Sequence, residues 1–185
     1  MRAMESQPFR ALTLAKAYDA IVRVPVCVVL ENVRSLYNVG SFFRTGDAAG
    51  IEKLYLSGYT GYPPHKGISK VALGAEETLP WSRTEDPLAL IAKLRAEGRQ
   101  IAVLETVPRA VDLYDWTPSF PTAVVFGNEV EGVTPEVSQS ADVHVRAPML
   151  GAKQSLNVAV AGGVVLFELL RKYRAMHERA ERLAG

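Results

Sequence analysis

The 185-residue chain has little of what disulfide, metal and membrane proteins need. It has one cysteine, Cys27, so no disulfide can form within the chain, and its three histidines stand apart from any partner at metal-ligand spacing. We therefore expect no metal site. No basic and then apolar leader opens the chain, and its longest uncharged run near the C-terminus, residues 154–167, is shorter than the ~20 residues that span a bilayer. The sequence predicts a cytoplasmic protein without membrane association.

The chain also lacks a large excess of charge of either sign. The formal net charge is +1, so any contact with a polyanion must come from local basic patches rather than from the field of the whole protein. No repeat or Pro/Ser-rich linker divides the chain, whose length suits one domain. We expect a single domain over residues 1–185, with a helical extension at residues 1–24 and a charged helical tail at residues 172–185.

Short apolar runs alternate with longer amphipathic segments, the pattern of an α/β fold with a mostly parallel sheet flanked by helices. Five strands are predicted, at residues 26–30, 53–57, 100–104, 122–126 and 142–145. Helices are predicted at residues 9–20, 39–49 and 86–96, after the Thr-Pro pair at 134–135, and from residue 155 through at least residue 171. The stretch 59–70 is rich in Gly, Pro and aromatic residues, which predicts a surface loop.

Three blocks set polar residues in apolar, Gly-rich surroundings: NVGSFFRTGDAAG at 38–50, FGNEVEGV at 126–133 and APMLGAKQSLNVAVA at 147–161. Asn38 is expected where a strand's carboxyl end meets the start of a helix, a place where ligands bind in open α/β sheets. The last helix is apolar on every face through residue 170, so we expect it to be buried and to carry Ser155 and Asn157 inward. An unpartnered polar group there costs about 1–3 kcal/mol, which a bound ligand would explain. If the fold brings these three blocks together, they would form one site.

Each block also has a plainer interpretation. Arg44 could form a surface ion pair on an amphipathic helix, and Glu129 could be a solvated residue in a turn. FGNEVEGV lacks both the GK[ST] of a Walker loop and the GxGxxG of a dinucleotide fingerprint. Ser155 has no G-x-S-x-G elbow and no histidine set against it, which argues against a triad hydrolase.

In this order the three blocks resemble the motifs of the SpoU/TrmH-type RNA ribose methyltransferases of the SPOUT class, and the resemblance extends over residues 31–170. It implies an α/β fold whose C-terminal segment is threaded into a deep trefoil knot, and a homodimer packed partly through the last helix. It also implies S-adenosylmethionine as the cofactor, S-adenosylhomocysteine as its product, and methyl transfer to a ribose 2′-hydroxyl of structured RNA, either tRNA or rRNA.

The resemblance further implies which residues form the site. The catalytic positions are Asn38, Arg44, Glu129, Ser155 and Asn157. The cofactor positions are Leu104, Glu105, Thr106, Gly127, Ala147, Met149, Leu150, Ser155 and Leu156. Because a guanidinium with a pKa above ~12 is a poor base, we expect Arg44 to grip the adjacent phosphate and to stabilise the developing alkoxide. Ala147 stands where the family has a larger aliphatic residue, which predicts looser contact with the adenine.

RNA is expected to bind to a basic, stacking-capable rim made of Arg34, Arg44, Tyr59, Tyr62, Lys66 and Lys70. Ordinary solvated lysines are the plainer interpretation of this rim. Two other functions stay open: a knotted enzyme that methylates an RNA base, and a non-catalytic RNA-binding protein on the same scaffold.

Overall fold

The computed structural model describes residues 23–184, with side chains described through residue 178, so the helix predicted at residues 9–20 lies outside the described residues. Within that part of the chain the elements are β1 (Val24–Glu31), α1 (Leu36–Ala49), β2 (Ile51–Ser57), α2 (Lys66–Ala72), α3 (Ala75–Thr78), β3 (Trp81–Thr84), α4 (Pro87–Ala96), β4 (Gln100–Leu104), β5 (Val111–Asp112), β6 (Thr122–Phe126), α5 (Pro135–Gln139), β7 (Val143–Arg146) and α6 (Val158–Ala184).

The strands form one parallel sheet in the order β3-β2-β1-β6-β4-β7-β5. The predicted fold class and all five predicted strands are confirmed, each strand to within two residues at either end. The sequence analysis missed β3 and β5. Both lie at the edges of the sheet and are short, with four residues and two residues, so neither has the continuous apolar run of a strand covered on both faces.

The two faces of the sheet carry separate hydrophobic cores, because successive side chains of a strand point in opposite directions. Along β1, Val26, Val28 and Leu30 pack under α1 and α6, whereas Cys27 and Val29 pack under α4 and α5. Burial raises the pKa of the Cys27 thiol to about 12, so this cysteine stays neutral and unreactive.

Helix α1 begins at Leu36, three residues earlier than the predicted start at residue 39. Ser35 is the N-cap, and its hydroxyl accepts a hydrogen bond from the Asn38 backbone N–H at 3.3 Å. The helix ends at Gly50, whose φ of 69° is the left-handed conformation typical of a glycine that stops a helix. Asn38 therefore lies inside the first turn of α1 rather than before it.

The last helix differs from its prediction in two ways. It begins at Val158 rather than at residue 155, because the Asn157 carboxamide oxygen caps it by accepting from the N–H of Ala159 at 2.9 Å. It is also not buried on every face: Val160 and Phe167 are 54% and 50% exposed. The expected burial of Ser155 and Asn157 is wrong as well, since both residues are exposed in the loop before the helix. The predicted helical tail is present through Ala184.

The predicted loop at residues 59–70 is correct only in its first part, because α2 begins at Lys66. Tertiary packing explains the difference. Ile68 is fully buried, and a Cβ added to Gly40 of α1 would lie 2.6 Å from the Ile68 carbonyl oxygen, so the two helices approach closely. Among the helices of residues 23–184, none is long and apolar enough to cross a membrane.

A glycine sets the contact between α1 and α6. A Cβ added to Gly162 would lie 2.4 Å from Cε1 of Phe42, closer than real Cβ atoms approach other heavy atoms. The Phe42 ring cannot easily move away, because it is buried and packs edge to face on Phe126 with ring centroids 4.9 Å apart. The absence of a side chain at residue 162 thus allows the two helices to pack.

We expect Gly162→Ala to lower the free energy of unfolding by about 1–3 kcal/mol, because overpacking a rigid core strains its neighbours. Gly163→Ala is the matched control: its Cβ would meet only Thr45 Cγ2, at 3.9 Å, and alanine is the better helix former by about 1 kcal/mol. Urea denaturation of both variants measures the difference. Equal stability of the two variants would contradict the packing argument.

Candidate active site

A cavity of about 510 Å³ opens at the carboxyl ends of β4, β6 and β7. This is the edge at which open α/β sheets bind ligands. Three loops line the cavity: the loop after β4, the loop after β6, and the loop that joins β7 to α6. The second and third sequence blocks contribute most of its surface, and the Asn38 end of the first block adjoins it through hydrogen bonds.

The carboxylate of Glu129 joins the first block to the second. It accepts hydrogen bonds from the backbone N–H groups of Arg34 and Ser35, each at 3.0 Å, and from Nδ2 of Asn38 at 2.8 Å. Nδ2 of Asn157 then donates to Oδ1 of Asn38 at 3.2 Å, which adds the third block. The structure thus brings Asn38, Glu129 and Asn157 into one hydrogen-bonded chain beside the cavity.

These donors also set the charge of Glu129. Partial burial alone would raise the pKa of its carboxyl group, but hydrogen bonds from the N–H groups of Ser35 and Arg34, from its own N–H and from the Asn38 amide outweigh that effect. The pKa of Glu129 therefore lies below its ordinary value. The side chain is a carboxylate throughout the neutral range, which suits an acceptor that orients neighbouring donors.

Glycines shape the turn that carries Glu129. A Cβ on Gly127 would lie 2.2 Å from the carbonyl carbon of Gly132, so the turn closes on its own backbone at that point. Gly132 has a φ of 75°, and Glu105 packs against it while accepting from the N–H of Val133 at 3.2 Å. Glu105 thereby ties the loop after β4 to the loop after β6.

Most predicted cofactor positions line this cavity, including Ser155, which forms no hydrogen bond with another residue of the described chain. The lining positions are Leu104, Glu105, Thr106, Gly127, Ala147, Met149, Ser155 and Leu156. Leu150 is the exception, because its side chain is fully exposed and does not contribute to the lining. Residues 150–153 are exposed and do not line the cavity, which the sequence pattern did not indicate.

Arg44 is not brought to the cavity of its own chain. It lies six residues after Asn38 on α1, about 9 Å further along the helix axis at 1.5 Å per residue, and its side chain is exposed. Within residues 23–184 it forms no hydrogen bond and no ion pair, so the surface ion pair of the plainer interpretation is not formed there. The rim residues Arg34, Tyr59, Tyr62, Lys66 and Lys70 are likewise exposed.

The sequence analysis missed four polar residues of the cavity, Asn128, Glu131, Arg146 and Gln154, and two of them have a clear place in it. Arg146 ends β7 and supplies a guanidinium to a lining that otherwise holds the carboxylates Glu105, Glu129 and Glu131. Asn128 accepts from the N–H groups of Val130 and Glu131 and so fixes the turn of the second block. Position could have revealed Arg146 and Asn128, since Arg146 ends β7 and Asn128 lies two residues after β6, at the edge where ligands bind.

Other chemistries find little support in residues 23–184. No group of three or more His, Cys, Asp or Glu side chains there could hold a metal ion. The imidazole Nε2 of His144 lies 2.9 Å from the Ser138 hydroxyl, not near Ser155, and burial together with the charge of Arg109 lowers the pKa of His144. Ser155 therefore has no histidine base of the kind a triad requires.

We expect Glu129→Gln to lower the free energy of unfolding at pH 7 by about 1–3 kcal/mol, because an amide cannot accept all three hydrogen bonds. The lowered pKa gives this difference a pH dependence. It is fully present above the unfolded-state pKa of ~4.3 and is lost as the pH falls through the lower folded-state value. Urea unfolding of both proteins between pH 7 and pH 3 measures it. Glu131→Gln is the control, since that exposed carboxylate has no hydrogen-bond donor among the described residues. If Glu129→Gln lowered the free energy of unfolding equally at every pH, the assignment of Glu129 as a charged acceptor would be contradicted.

The sheet is wholly parallel and has a cavity formed by three loops at its carboxyl edge, and its match to solved structures places this α/β fold in the SPOUT methyltransferase class. The chain belongs to the SpoU rRNA Methylase family, whose model matches residues 25–167. This confirms the resemblance seen in the sequence.

Individual relatives agree with this assignment. The chain is 34% identical over 163 residues to the 23S rRNA (guanosine-2'-O-)-methyltransferase RlmB of Ralstonia nicotianae, covering 88% of this chain and 65% of that protein. Its fold matches the crystal structure of the A. aeolicus TrmH/SpoU tRNA modifying enzyme with a TM-score of 0.78 and 28% identity, over 90% of this chain and 87% of that one.

A structure of an AdoMet-bound rRNA methyltransferase from Sinorhizobium meliloti matches with a TM-score of 0.74 and 32% identity, over 79% of this chain and 56% of that one. The chain thus spans less than two thirds of the length of the Ralstonia relative and little more than half of the Sinorhizobium structure.

Proposed function

We propose that the chain transfers a methyl group from S-adenosylmethionine to a ribose 2′-hydroxyl of structured RNA. The observation that carries this proposal is the hydrogen-bonded chain of Asn38, Glu129 and Asn157 beside the cavity, in a member of the SpoU family. The names of the relatives include both an rRNA enzyme and a tRNA modifying enzyme, so the proposed substrate is tRNA or rRNA.

The cavity suits this cofactor in size and chemistry. Its volume lies within the ~300–1,000 Å³ of small-molecule sites, and apolar side chains such as Leu104, Phe126 and Leu156 share its lining with charged ones. We propose that the apolar loops hold the adenine, that carboxylates such as Glu105 face the cationic groups, and that Arg146 pairs with the carboxylate. When bound, the cofactor supplies a methyl group on a sulfonium, which needs no metal to activate it.

The hydrogen-bonded residues Asn38, Glu129 and Asn157 would act on the RNA substrate rather than on the cofactor. Glu129 holds the 34–38 turn through three hydrogen bonds, so the Asn38 carboxamide has one orientation, with Nδ2 toward Glu129 and Oδ1 toward Asn157. We propose that Asn157 and Ser155 align the ribose hydroxyl, because alignment and deprotonation are the difficult parts of this reaction. Arg44 would bind the neighbouring phosphate and stabilise the alkoxide, while phosphate or water takes the proton.

The activity is tested by incubating the purified chain with S-adenosylmethionine labelled in its methyl group and with total tRNA and rRNA. We expect label in RNA at one nucleotide that resists alkaline cleavage, since 2′-O-methylation removes the attacking hydroxyl. Label on a base, found by nuclease digestion and mass spectrometry, would favour the base methyltransferase. Binding of RNA without transfer would favour the non-catalytic protein.

We expect Arg44→Lys to lower kcat/KM at least about tenfold, a loss of about 1.4 kcal/mol, because an ammonium cannot make the two parallel hydrogen bonds that a guanidinium makes to phosphate. Arg95→Lys is the control, since Arg95 pairs with Asp142 in the loop before β7, at the opposite, amino-terminal edge of the sheet. Steady-state kinetics on the mapped RNA measures both variants. Near-normal turnover by Arg44→Lys would rule out bidentate phosphate binding.

We further propose that two copies of the chain pair through the exposed face of α6. Val160 and Phe167 form an apolar stripe there, and Arg171, Arg174 and Glu178 surround its far end with both signs of charge. A symmetric contact joins a patch to itself, and such a mixed patch is self-complementary. Arg44 lies beside this face, because its neighbour Thr45 packs against α6 at Gly163. The second copy would thus bring an Arg44 toward its partner's cavity.

We expect Phe167→Asp to convert a dimer into single chains of 20.2 kDa in sedimentation equilibrium, because a carboxylate cannot be buried unpaired in the contact. Leu88→Asp, at a comparably exposed apolar position on α4, should leave the dimer intact. Mixed dimers of Arg44→Ala and Asn157→Ala chains add a functional check. Recovered activity in the mixture would support a site shared between copies, and a wild-type chain that sediments as a monomer would contradict the proposal.

The remaining expectations follow from this activity. Its RNA substrates and the single, buried thiol of Cys27 both fit a reducing cytoplasm, where we propose that the protein acts. We propose the division into one domain over residues 1–185, and the trefoil knot, from the family resemblance.

A further inference from the structure

Tyr59 combines strong exposure with a fixed orientation. Its side chain is 60% exposed, yet the residue is held at both ends: its backbone N–H donates to Oδ1 of Asn32 at 3.2 Å, and its hydroxyl accepts from Nδ2 of Asn128 at 3.0 Å. An exposed tyrosine ordinarily gains little stability from such ordering. The two hydrogen bonds therefore hold an exposed, flat aromatic surface in one position, which indicates a role in binding a ligand.

Asn32, which holds the backbone of Tyr59, is itself in an unusual conformation. Asn32 has a φ of 57°, and Gly58 has a φ of 62°; a Cβ on Gly58 would lie 2.0 Å from Oδ1 of Asn32. Asn128 donates from the same nitrogen to the Asn32 carbonyl at 3.0 Å, and it also lines the cavity. The ring is thus joined by one side chain to the rim of the proposed cofactor site and to the turn that carries Glu129.

The faces of the Tyr59 ring are left uncovered by its neighbours, unlike those of Tyr62. Tyr62, in the same loop, is already covered on one face by the Arg83 guanidinium, 4.7 Å from the ring centroid. Tyr59 has no aromatic or cationic neighbour of this kind among the described residues. Arg34 is exposed in the turn held by Glu129. An exposed aromatic ring whose faces are uncovered is the usual means of stacking an unpaired RNA base.

We propose that the Tyr59 ring is the platform on which the base of the target nucleotide stacks, and hence that the substrate is RNA whose target nucleotide is unpaired. This inference rests on the proposed function. Tyr59 is a positioning residue: it holds the base so that the ribose faces Asn38 and Asn157. A base within a duplex is covered on both faces by its neighbours and offers no free face to the ring.

The test compares Tyr59→Leu, which removes the ring, with Tyr59→Phe, which removes only the hydrogen bond to Asn128. Tyr114→Leu is the matched control, because Tyr114 is 59% exposed and its hydroxyl makes no hydrogen bond within the described chain. The binding probe is a fluorescein-labelled 12-nucleotide single-stranded RNA spanning the mapped target or, if no target is found, a mixed-sequence RNA of that length. Fluorescence anisotropy measures its affinity alone and annealed to its complement.

We expect Tyr59→Leu to weaken single-strand binding about 10- to 100-fold, the effect of losing one base-aromatic stack, and to leave duplex binding unchanged. Tyr59→Phe should retain most of the affinity but raise KM for RNA, with kcat changed less. Cofactor affinity by calorimetry should be the same in all variants. An unchanged affinity in Tyr59→Leu, or equal losses for single strand and duplex, would overturn the inference.

Two outcomes separate this inference from the proposed function. Methylation by the wild type together with unaltered binding and KM in Tyr59→Leu would refute the platform alone. No methylation of any RNA by the wild type, with single-strand binding that still depends on the ring, would refute the methyltransferase and support the platform as a binding site. If Tyr59→Leu instead changed the sedimentation mass, the ring would be a contact between copies, and the inference would fail.

Discussion

One carboxylate connects the parts of the molecule that form the candidate site. Glu129 accepts hydrogen bonds from Arg34, Ser35 and Asn38, which lie 91 to 95 residues earlier in the chain. Asn38 in turn contacts Asn157, 119 residues later. Without the Glu129 acceptor, the N–H groups of the turn before α1 would lose their partners. The first block would then have no hydrogen bond to the second, and the orientation of Asn38 would depend on its contact with Asn157 alone.

The sheet makes this connection geometrically feasible. All neighbouring strands are parallel, so the ends of β1, β4, β6 and β7 lie at one edge, and every loop that follows them faces the same side. Helices α1 and α6 then pack closely through Gly162 and Phe42, which brings Asn157 next to Asn38. The same edge holds the cavity and the fixed ring of Tyr59. The contacts that stabilise this edge of the fold thus also position the groups of the proposed reaction, as expected for a site on a rigid scaffold.

Strong local signals made much of the fold predictable. The continuous apolar runs of β1 and β6 identified buried parallel strands, and Gly50 marked the end of α1 correctly. The failures occurred where local signals were weak or were overruled. β5 has only two residues and exists through its pairing with β7, and α2 forms where Ile68 packs under α1. The apolar face of α6 was assumed to be buried within its own chain, because composition does not distinguish a core contact from a surface that a second copy could cover.

The sequence by itself determined the fold class, the five main strands and the three polar blocks, because these depend on residue types and spacings that are local in the chain. Only the tertiary structure decided that Glu129 binds the turn before α1, that Arg44 does not line the cavity of its own chain, and that Arg146 and Asn128 belong to the site. It also decided that Tyr59 is held rather than free. Each of these facts depends on contacts between residues that are distant in the chain, and such contacts exist only after the sheet has assembled and the helices have packed on it.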